Sequence, residues 1–351
     1  MPRSIFVFLL ACTFAAIPAN GRSEPYPLFD SQQTLEIILE FPIRELLKRA
    51  RNRPTVDGRL HYTDEDGSEV VIDIDLTSRG RSRLEHCSFP PLSVTPNPAH
   101  ADDTLFAGQN KLKIVTHCRN GTTYLEYLHQ EYGIYRAYNI LSDYSFRVRL
   151  LKVTYRDSEN KRRDDTRPAF FVESHEEMAR RLGMTIVETR SIRPDQFDQA
   201  QINIYELFQY MIANTDWAIT KGPGTEHCCH NGKVLAKPGT QRGWIVVPYD
   251  FDQAGLINTS YALPADGLGI RNVRQRLYRG RCQHNDELER TIELFNDRRE
   301  AVDAEIAPQS ISDRTRRTAR KYVAGFYSTI NDSARVRKKI IRVCRGATDG
   351  Q

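Results

Sequence analysis

Alternating apolar and polar positions make the first part of the chain rich in predicted strands. A period of two, with apolar side chains on one face, is typical of a strand that covers a core. The turn Asp64-Glu65-Asp66-Gly67 separates two such segments, and its glycine can take the positive φ of a tight hairpin. Helical periods predict helices at 43–51 and 125–141, and the proline-rich stretch 89–98 is predicted to be irregular. The predicted strands are 35–41, 59–62, 69–76, 111–116, 146–155 and 169–173.

The second part of the chain has mostly helical periodicity. Only 243–247 has the continuous apolar character of a buried strand. Residues 24–173 are therefore predicted to form a sheet-rich lobe and residues 174–346 a helical lobe, meeting near Glu173. The predicted class is α+β, with an antiparallel sheet in the first lobe. The predicted helices of the second lobe are 176–182, 202–213, 286–306 and 312–344.

The N-terminus has the three regions of a secretory signal. A basic start is followed by an apolar run from Ile5 to Ile17 and by small residues up to Gly21, so residues 1–21 are excluded from the fold. A lipoprotein signal with Cys12 lipidated is the alternative, but apolar residues continue beyond Cys12. No later stretch reaches the ~20 apolar residues of a membrane-spanning helix. We therefore expect an exported protein, periplasmic or secreted, with no transmembrane span after signal removal.

The remaining cysteines agree with export. They form an even set, which in an oxidising compartment favours disulfides over metal ligation or catalysis. Cys87 with Cys118 is the first predicted pair, because both lie in or beside strand-like segments of the same half. Either Cys228 or Cys229 with Cys282 is the second. The full set is Cys87, Cys118, Cys228, Cys229, Cys282 and Cys344.

A zinc site is the competing interpretation of the paired cysteines. His227, Cys228, Cys229 and His230 supply the right ligand types in one short stretch. Adjacent cysteines lack the open Cys-x-x-Cys spacing of structural zinc sites, so we favour disulfides.

Composition is that of an ordinary globular protein. Hydrophobic residues make up 40% and charged residues 27% of 351 residues, enough for two lobes with a substantial core. The formal net charge of +5 is mild. Basic residues concentrate between 314 and 345, where the helical period predicts solvated helix faces rather than a nucleic-acid surface, so no nucleic-acid partner is expected.

Three polar residues in the middle of the chain have the order that phosphoryl transfer needs. Asp216 follows an apolar helix, Asn231 comes next, and Asp250 ends the apolar strand 243–247 with Asp252 just beyond. Such a site uses one carboxylate to orient the attacking hydroxyl, and an Asn with an Asp to hold Mg²⁺. Taken singly, Asp216 can cap backbone amides and Asp250 can be a turn residue.

Cations from the sheet-rich lobe are the second requirement. Lys113 lies on strand 111–116 and Glu131 on the next helix, which would let the carboxylate hold the lysine toward phosphates. Lys111 points to the same face of the strand as Lys113, because side chains alternate along a strand. Judged by spacing alone, it is an equal candidate for contacting the phosphates. No Gly-x-Gly-x-x-Gly or Walker sequence occurs, and the basic loop with Arg79 and Arg81 is the predicted substitute. A surface lysine or a solvated loop is the alternative.

These motifs resemble the spore-coat CotH family of atypical protein kinases and, more distantly, HipA-type kinases. The resemblance covers roughly 58–280. Its motifs are the Arg-Gly-x-Ser loop 79–82, Gln130-Glu131-Tyr132, Asn214-Thr215-Asp216-Trp217, His230-Asn231 and the run 247–252. Its departures are a long insertion at 218–229 and no lysine around Leu92.

The resemblance implies a two-lobed protein-kinase-like fold that uses ATP with Mg²⁺ or Mn²⁺. Asp216 would be the catalytic aspartate, with Lys113 and Glu131 steadying the phosphates. Asn231 and Asp250 would be metal ligands, with Asp252 beside them. Glu173 would end the strand that leads into the lobe connector facing the adenine. The acceptor would be a Ser or Thr hydroxyl of an envelope or secreted protein.

Two other functions stay open on the sequence alone. One is a pseudokinase-like envelope protein that binds a partner and has lost turnover, favoured by the weak lysine position and by the long insertion. The other is nucleotidyl transfer by the same carboxylates, which the mass of the product would distinguish from phosphorylation.

Overall fold

The computed structural model describes residues 27–222 and 228–346. The predicted signal at 1–21, the alternative lipidation site Cys12 and His227 all lie outside the described residues. The described chain forms a β-barrel, a set of helices packed against it, and a small second sheet.

Seven strands close into the barrel, and their order follows the chain except at one position. Neighbours run β1-β2-β3-β4-β5-β7-β6, and β6 returns to pair with β1. Alternate side chains of β1 and β3 fill the interior, as the pattern of buried and exposed positions along these two strands shows. The strands are β1 (Leu35–Phe41), β2 (Thr55–Thr63), β3 (Glu69–Ser78), β4 (Leu92–Pro96), β5 (Leu112–Val115), β6 (Val148–Asp157) and β7 (Asp165–Val172).

The predicted two-lobed protein-kinase-like fold with an antiparallel-sheet first lobe is wrong. The sheet is a closed mixed barrel, because β1 pairs antiparallel with β2 and parallel with β6. In that parallel register, Leu35 lies opposite Leu151 and Phe41 opposite Asp157. Hydrophobic alternation shows which face a strand buries, but not which distant strand lies beside it. Closure of the barrel was therefore not readable from the pattern.

Helices and a three-stranded antiparallel sheet make up most of the rest. The small sheet has the order β10-β9-β8, with strands β8 (Thr185–Ile186), β9 (Gly232–Ala236) and β10 (Ile245–Pro248). The long helices are α4, α6, α7 and α9. In chain order the helices are α1 (Ile43–Lys48), α2 (Ser82–His86), α3 (Pro98–Ala101), α4 (Thr122–Leu141), α5 (His175–Arg181), α6 (Gln199–Ile212), α7 (Leu288–Asp297), α8 (Arg299–Ile306), α9 (Asp313–Ile330) and α10 (Ser333–Val336).

Helix α4 joins the barrel to the other helices. Its buried Ile134 and Tyr138 belong to a large core that also contains Phe170 of β7 and Phe208 of α6. The interior of the barrel holds a separate core of aliphatic and aromatic side chains. Gly133 lets α4 approach α8 closely, since a Cβ there would overlap the carbonyl of Glu305.

Most predicted elements are present within a few residues of their expected bounds. The hairpin turn is confirmed, and Gly67 takes φ +86°. The stretch 89–98 is not irregular throughout, because it contains β4, which pairs with β3 and β5. Its prolines lie before the strand, at its last residue and beyond it at the start of α3, where they remove few ladder hydrogen bonds. The predicted helix 286–306 is divided into α7 and α8.

Disulfides join the six described cysteines in three pairs. The predicted pair Cys87–Cys118 is confirmed. The predicted pairing of Cys228 or Cys229 with Cys282 is wrong. Cys228 and Cys229 bond to each other, and Cys282 bonds to Cys344. A parallel bridge between the neighbouring residues 281 and 345 brings Cys282 and Cys344 together, which chain spacing does not reveal.

None of the described helices has both the length and the apolar character needed to cross a membrane.

Candidate functional site

A cleft of about 360 Å³ opens where the barrel meets the small sheet. Eight of the ten predicted site residues line it, although they come from six separate segments of the chain. Lys111 and Glu173 do not line it. The eight are Arg79, Arg81, Lys113, Glu131, Asp216, Asn231, Asp250 and Asp252.

The small sheet places Asn231 and Asp250 side by side. Gly232 at the start of β9 pairs with Pro248 at the end of β10, so the residues just outside the ladder meet at one edge. The Tyr249 amide donates to the Asn231 carbonyl at 3.4 Å. Asn231 and Asp250 both have positive φ, +50° and +62°. Such backbone occurs more often at functional sites than elsewhere, and here it aims both side chains at the cleft.

The end of α6 places Asp216 against the same edge. Ala213 ends the helix with φ +52°, and its carbonyl accepts from the Gly255 amide at 3.1 Å. The segment that follows Asp250 is thereby attached to the helix end. Ala218 and His230 exchange two backbone hydrogen bonds, which brings the loop of Asp216 alongside β9.

The Asp216 carboxylate is held by two side chains. Its Oδ1 lies 2.8 Å from His230 Nε2, and its Oδ2 accepts from Asn231 Nδ2 at 2.9 Å. Asn231 Nδ2 also donates to the Asp216 carbonyl. The hydrogen bond with Asp216 raises the pKa of His230 above its usual value, although burial opposes this shift. His230 therefore orients Asp216, and the sequence signal for it was its place directly before Asn231.

Asp250 is a carboxylate of the cleft that forms no salt bridge with a described residue. Burial raises its pKa and the nearby carboxylates of Asp252 and Asp216 add to this effect, while the positive charges of Arg83 and Arg79 oppose it. Its amide donates to the Tyr135 hydroxyl at 2.9 Å, so α4 fixes its backbone. Within the described residues its carboxylate has no salt-bridge partner. A cation placed in the cleft would therefore stabilise Asp250 most directly.

Lys113 extends from β5 into the cleft. Its neighbours Leu112 and Ile114 belong to the barrel core, so alternation turns Lys113 outward. The ammonium lies 5.4 Å from the ring centroid of Tyr249 and forms no salt bridge with a described residue. Burial lowers its pKa to about 7, helped by the positive charges of Arg79 and Lys233. An anionic ligand in the cleft would therefore favour the protonated, charged form of Lys113.

Glu131 does not hold Lys113, contrary to the sequence-based expectation. It pairs instead with Arg83 of α2, whose Nε also donates to Asp252 Oδ2 at 2.9 Å. Arg83, Glu131 and Asp252 are all at least 90% buried. Burial raises the pKa of Glu131 to about 7, and Arg83 opposes this rise. Sequence reasoning missed Arg83, which was visible only as the last residue of the basic stretch 79–83.

The remaining predicted residues divide between the cleft and the scaffold. Arg79 and Arg81 lie on the loop after β3, and the Arg53 guanidinium supports this loop by donating to the Gly80 carbonyl at 2.8 Å. Lys111 is exposed just before β5. Glu173 is buried and bonded to Arg181, so it fastens α5 to the end of β7.

The chemistry of the cleft suits a hard cation bound together with a phosphate ligand. Asn231 uses its amide nitrogen for Asp216, which leaves the amide oxygen without a donor among the described residues. With Asp250 this gives two oxygen ligands, and Mg²⁺ is commonly bound by one or two carboxylates plus substrate phosphates. Residues 27–222 and 228–346 contain no cluster of three His, Cys, Asp or Glu side chains arranged as a metal site.

The alternative zinc site loses two of its four ligands. Cys228 and Cys229 are disulfide-bonded to each other, so neither provides a thiolate. His230 is engaged with Asp216, and His227 lies outside the described residues.

Comparison with known proteins adds no family assignment. No protein-family model and no curated protein matches this sequence.

Proposed function

We propose that this protein is an exported, metal-dependent phosphotransferase that moves the γ-phosphate of ATP to a Ser or Thr hydroxyl of an envelope or secreted protein. One observation supports the proposal: acidic, amide and basic residues of the types that phosphoryl transfer uses come from six segments and line one cleft. The resemblance to CotH-type kinases adds motif-level support. The proposal concerns the chemistry of the site and does not depend on a protein-kinase-like fold.

Asp216 is the residue that orients the acceptor. Its carboxylate has two hydrogen-bonded partners and still has lone pairs for a hydroxyl proton. The acceptor oxygen forms a bond to the γ-phosphorus as the bond between that phosphorus and the β–γ bridging oxygen breaks. ADP leaves, and the hydroxyl proton passes to Asp216.

Lys113 and Arg79 supply positive charge for the phosphates. Both line the cleft, and Lys113 has no carboxylate partner among the described residues that would compete with a phosphate. Their charges lower the cost of bringing a polyphosphate into a partly buried site. A phosphate beside Lys113 would in turn stabilise the protonated ammonium.

Asn231 and Asp250 would hold the cation. Bound there, Mg²⁺ or Mn²⁺ would neutralise phosphate charge that develops during transfer. Asp252 accepts a hydrogen bond from Arg83, so its role is to position Arg83 next to the site.

The pairing of Glu131 with Arg83 favours a second candidate function, a nucleotide-binding protein with weak or no turnover. Because Glu131 is bonded to Arg83, Lys113 lacks a carboxylate that would fix its position for transfer. ATP binding without transfer would favour this function.

The test is incubation of the oxidised protein with γ-labelled ATP, Mg²⁺ or Mn²⁺ and a casein-like acceptor. We expect label on protein in the wild type, and at least a hundred-fold less in Asp216→Ala and Asp250→Ala. Asp297→Ala, which removes an exposed aspartate at the end of α7, is the matched control and should keep full activity. Equal labelling in all four proteins would overturn the proposal.

A further inference from the structure

The segment 337–343, which we call the C-terminal basic segment, combines exposed cations with exposed aliphatic side chains. It begins with the π-helical turn Arg337–Ile341. Ile341 is 47% and Val343 is 44% exposed, and they are two of the four exposed large hydrophobic residues in the described chain. The basic side chains around them are also exposed; they are Arg337, Lys338, Lys339 and Arg342.

Two bonds on the C-terminal side of this segment, together with one buried residue inside it, keep its exposed apolar residues at the surface. Cys344 follows Val343 directly and is bonded to Cys282. Next to it, the Arg345 amide donates to the Gly280 carbonyl at 2.8 Å. Ile340 is fully buried and anchors the turn in the core. Because the segment is attached this way, Ile341 and Val343 cannot turn inward without breaking those bonds.

The charge around the two aliphatic residues is of one sign. Residues 333–346 contain six Lys or Arg and no Asp or Glu. The one cation there with a salt bridge to a described carboxylate outside this stretch is Arg335, which contacts Asp332. Lys338, Lys339 and Arg342 have no such bridge in the described part of the chain. Their charge is therefore available to an anionic partner.

We infer that the C-terminal basic segment is a docking surface for an anionic lipid membrane, with Ile341 and Val343 entering the interface while the surrounding cations contact headgroups. Cations attract an anionic bilayer, and adjacent aliphatic side chains gain by leaving water at its boundary. Single-stranded nucleic acid fits less well, because its binding sites place aromatic rings against the bases. Residues 333–346 contain no aromatic residue. The inference does not depend on the proposed phosphotransferase function.

The test is partitioning of the oxidised protein onto vesicles. The chain should begin at Arg22, so that the apolar N-terminal segment does not contribute. We expect salt-sensitive binding to mixed phosphatidylglycerol–phosphatidylcholine vesicles and little binding to pure phosphatidylcholine. Lys338→Gln with Lys339→Gln should weaken binding about 25-fold, from roughly five-fold for each charge.

A second pair of variants tests the apolar contact. Ile341→Ser with Val343→Ser should weaken binding by about ten-fold with little change in its salt dependence. The matched controls are Lys48→Gln with Arg51→Gln, which removes two exposed charges elsewhere, and Leu263→Ser, which removes the most exposed leucine among the described residues. Both controls should bind like the wild type, and melting temperatures should show that every variant folds.

Three outcomes would overturn the inference. One is equal weakening in the control variants, which would indicate a general effect of net charge. Another is no preference for anionic vesicles. The third is binding to heparin or single-stranded DNA that depends on the lysines and is unchanged by the serine substitutions, which would show a polyanion surface rather than a membrane surface.

Discussion

Replacing Arg83 by methionine would leave two buried carboxylates without their shared cation. Arg83 is 8% exposed, and it bonds to Glu131, which is 3% exposed, and to Asp252, which is 6% exposed. Methionine has a similar length and keeps much of the apolar contact of the side chain. The change therefore isolates the loss of charge from the loss of volume.

The expected cost is large because both partners stay buried. Removing one member of a buried ion pair typically costs about 3–5 kcal/mol, since it leaves an uncompensated charge. At ~2 °C per kcal/mol for a protein of this size, the melting temperature should fall by about 6–10 °C.

The loss should depend on pH in a definite direction. The pKa of Glu131 is raised from 4.5 to about 7 in the folded protein. Between those values the folded state holds a proton that the unfolded state releases, so this group makes the protein less stable as pH rises. Without Arg83 the pKa rises further. The deficit of Arg83→Met should thus be larger at about pH 8 than at about pH 5.

Urea unfolding at the two pH values measures these differences. Adding Glu131→Gln and Asp252→Asn to Arg83→Met removes the stranded charges and should restore most of the stability. Arg51→Met, at an exposed position without a salt bridge to a described residue, is the control and should change stability by less than about 0.5 kcal/mol. A pH-independent loss, or no recovery in the triple variant, would contradict the role assigned to Arg83.

Three further predictions concern the cleft and the disulfides. Lys113→Met should weaken ATP binding about ten-fold or more. It should also raise the melting temperature below pH ~7, because the lowered pKa of Lys113 means that the charged lysine destabilises the folded state. Lys111→Met should change neither property. The hydrogen bond with Asp216 raises the pKa of His230. Protonated His230 therefore stabilises the folded state fully at pH values below its usual pKa, and this stabilisation is lost as the pH rises through the raised pKa. Since the same imidazolium competes for the Asp216 carboxylate, phosphate transfer should fall toward acid pH, and His230→Gln should remove that limb of the pH–rate profile. Replacing Cys282 and its partner by serine should cost about 4 kcal/mol in urea unfolding, because that disulfide spans 62 residues, and a loss below 1 kcal/mol would contradict this expectation.

Local elements were predictable from the sequence because their signals are local. The turn ending in Gly67 set the first hairpin, and the periods of α4 and α6 marked two buried helices. Closure of the barrel was not predictable. It depends on the parallel pairing of β1 with β6, and the alternation in either strand is satisfied equally by many neighbours.

The candidate site was predictable as a set of residues and less so as a set of contacts. Asp216, Asn231 and Asp250 have the order and residue types of one chemistry, and the structure brings them together. The partner of Glu131 could not be inferred, because Lys113 and Arg83 are both cations and the shorter chain separation favours Lys113, which is not the partner. Which one reaches α4 depends on how the short helix α2 lies against it, and α2 has no strong periodic signal.

Phosphate transfer and nucleotide binding, measured together on Asp216→Asn and Asp250→Asn, would decide whether the cleft is a phosphotransferase site. Because the proposed role of Asp216 is to act on the acceptor, Asp216→Asn should bind ATP with Mg²⁺ within about three-fold of the wild type while losing at least a hundred-fold in γ-phosphate transfer. Asp250→Asn should lose both, along with the dependence of ATP binding on Mg²⁺. If Asp216→Asn transfers phosphate at the wild-type rate, or if neither variant changes binding or transfer, the cleft is not the site of phosphate transfer.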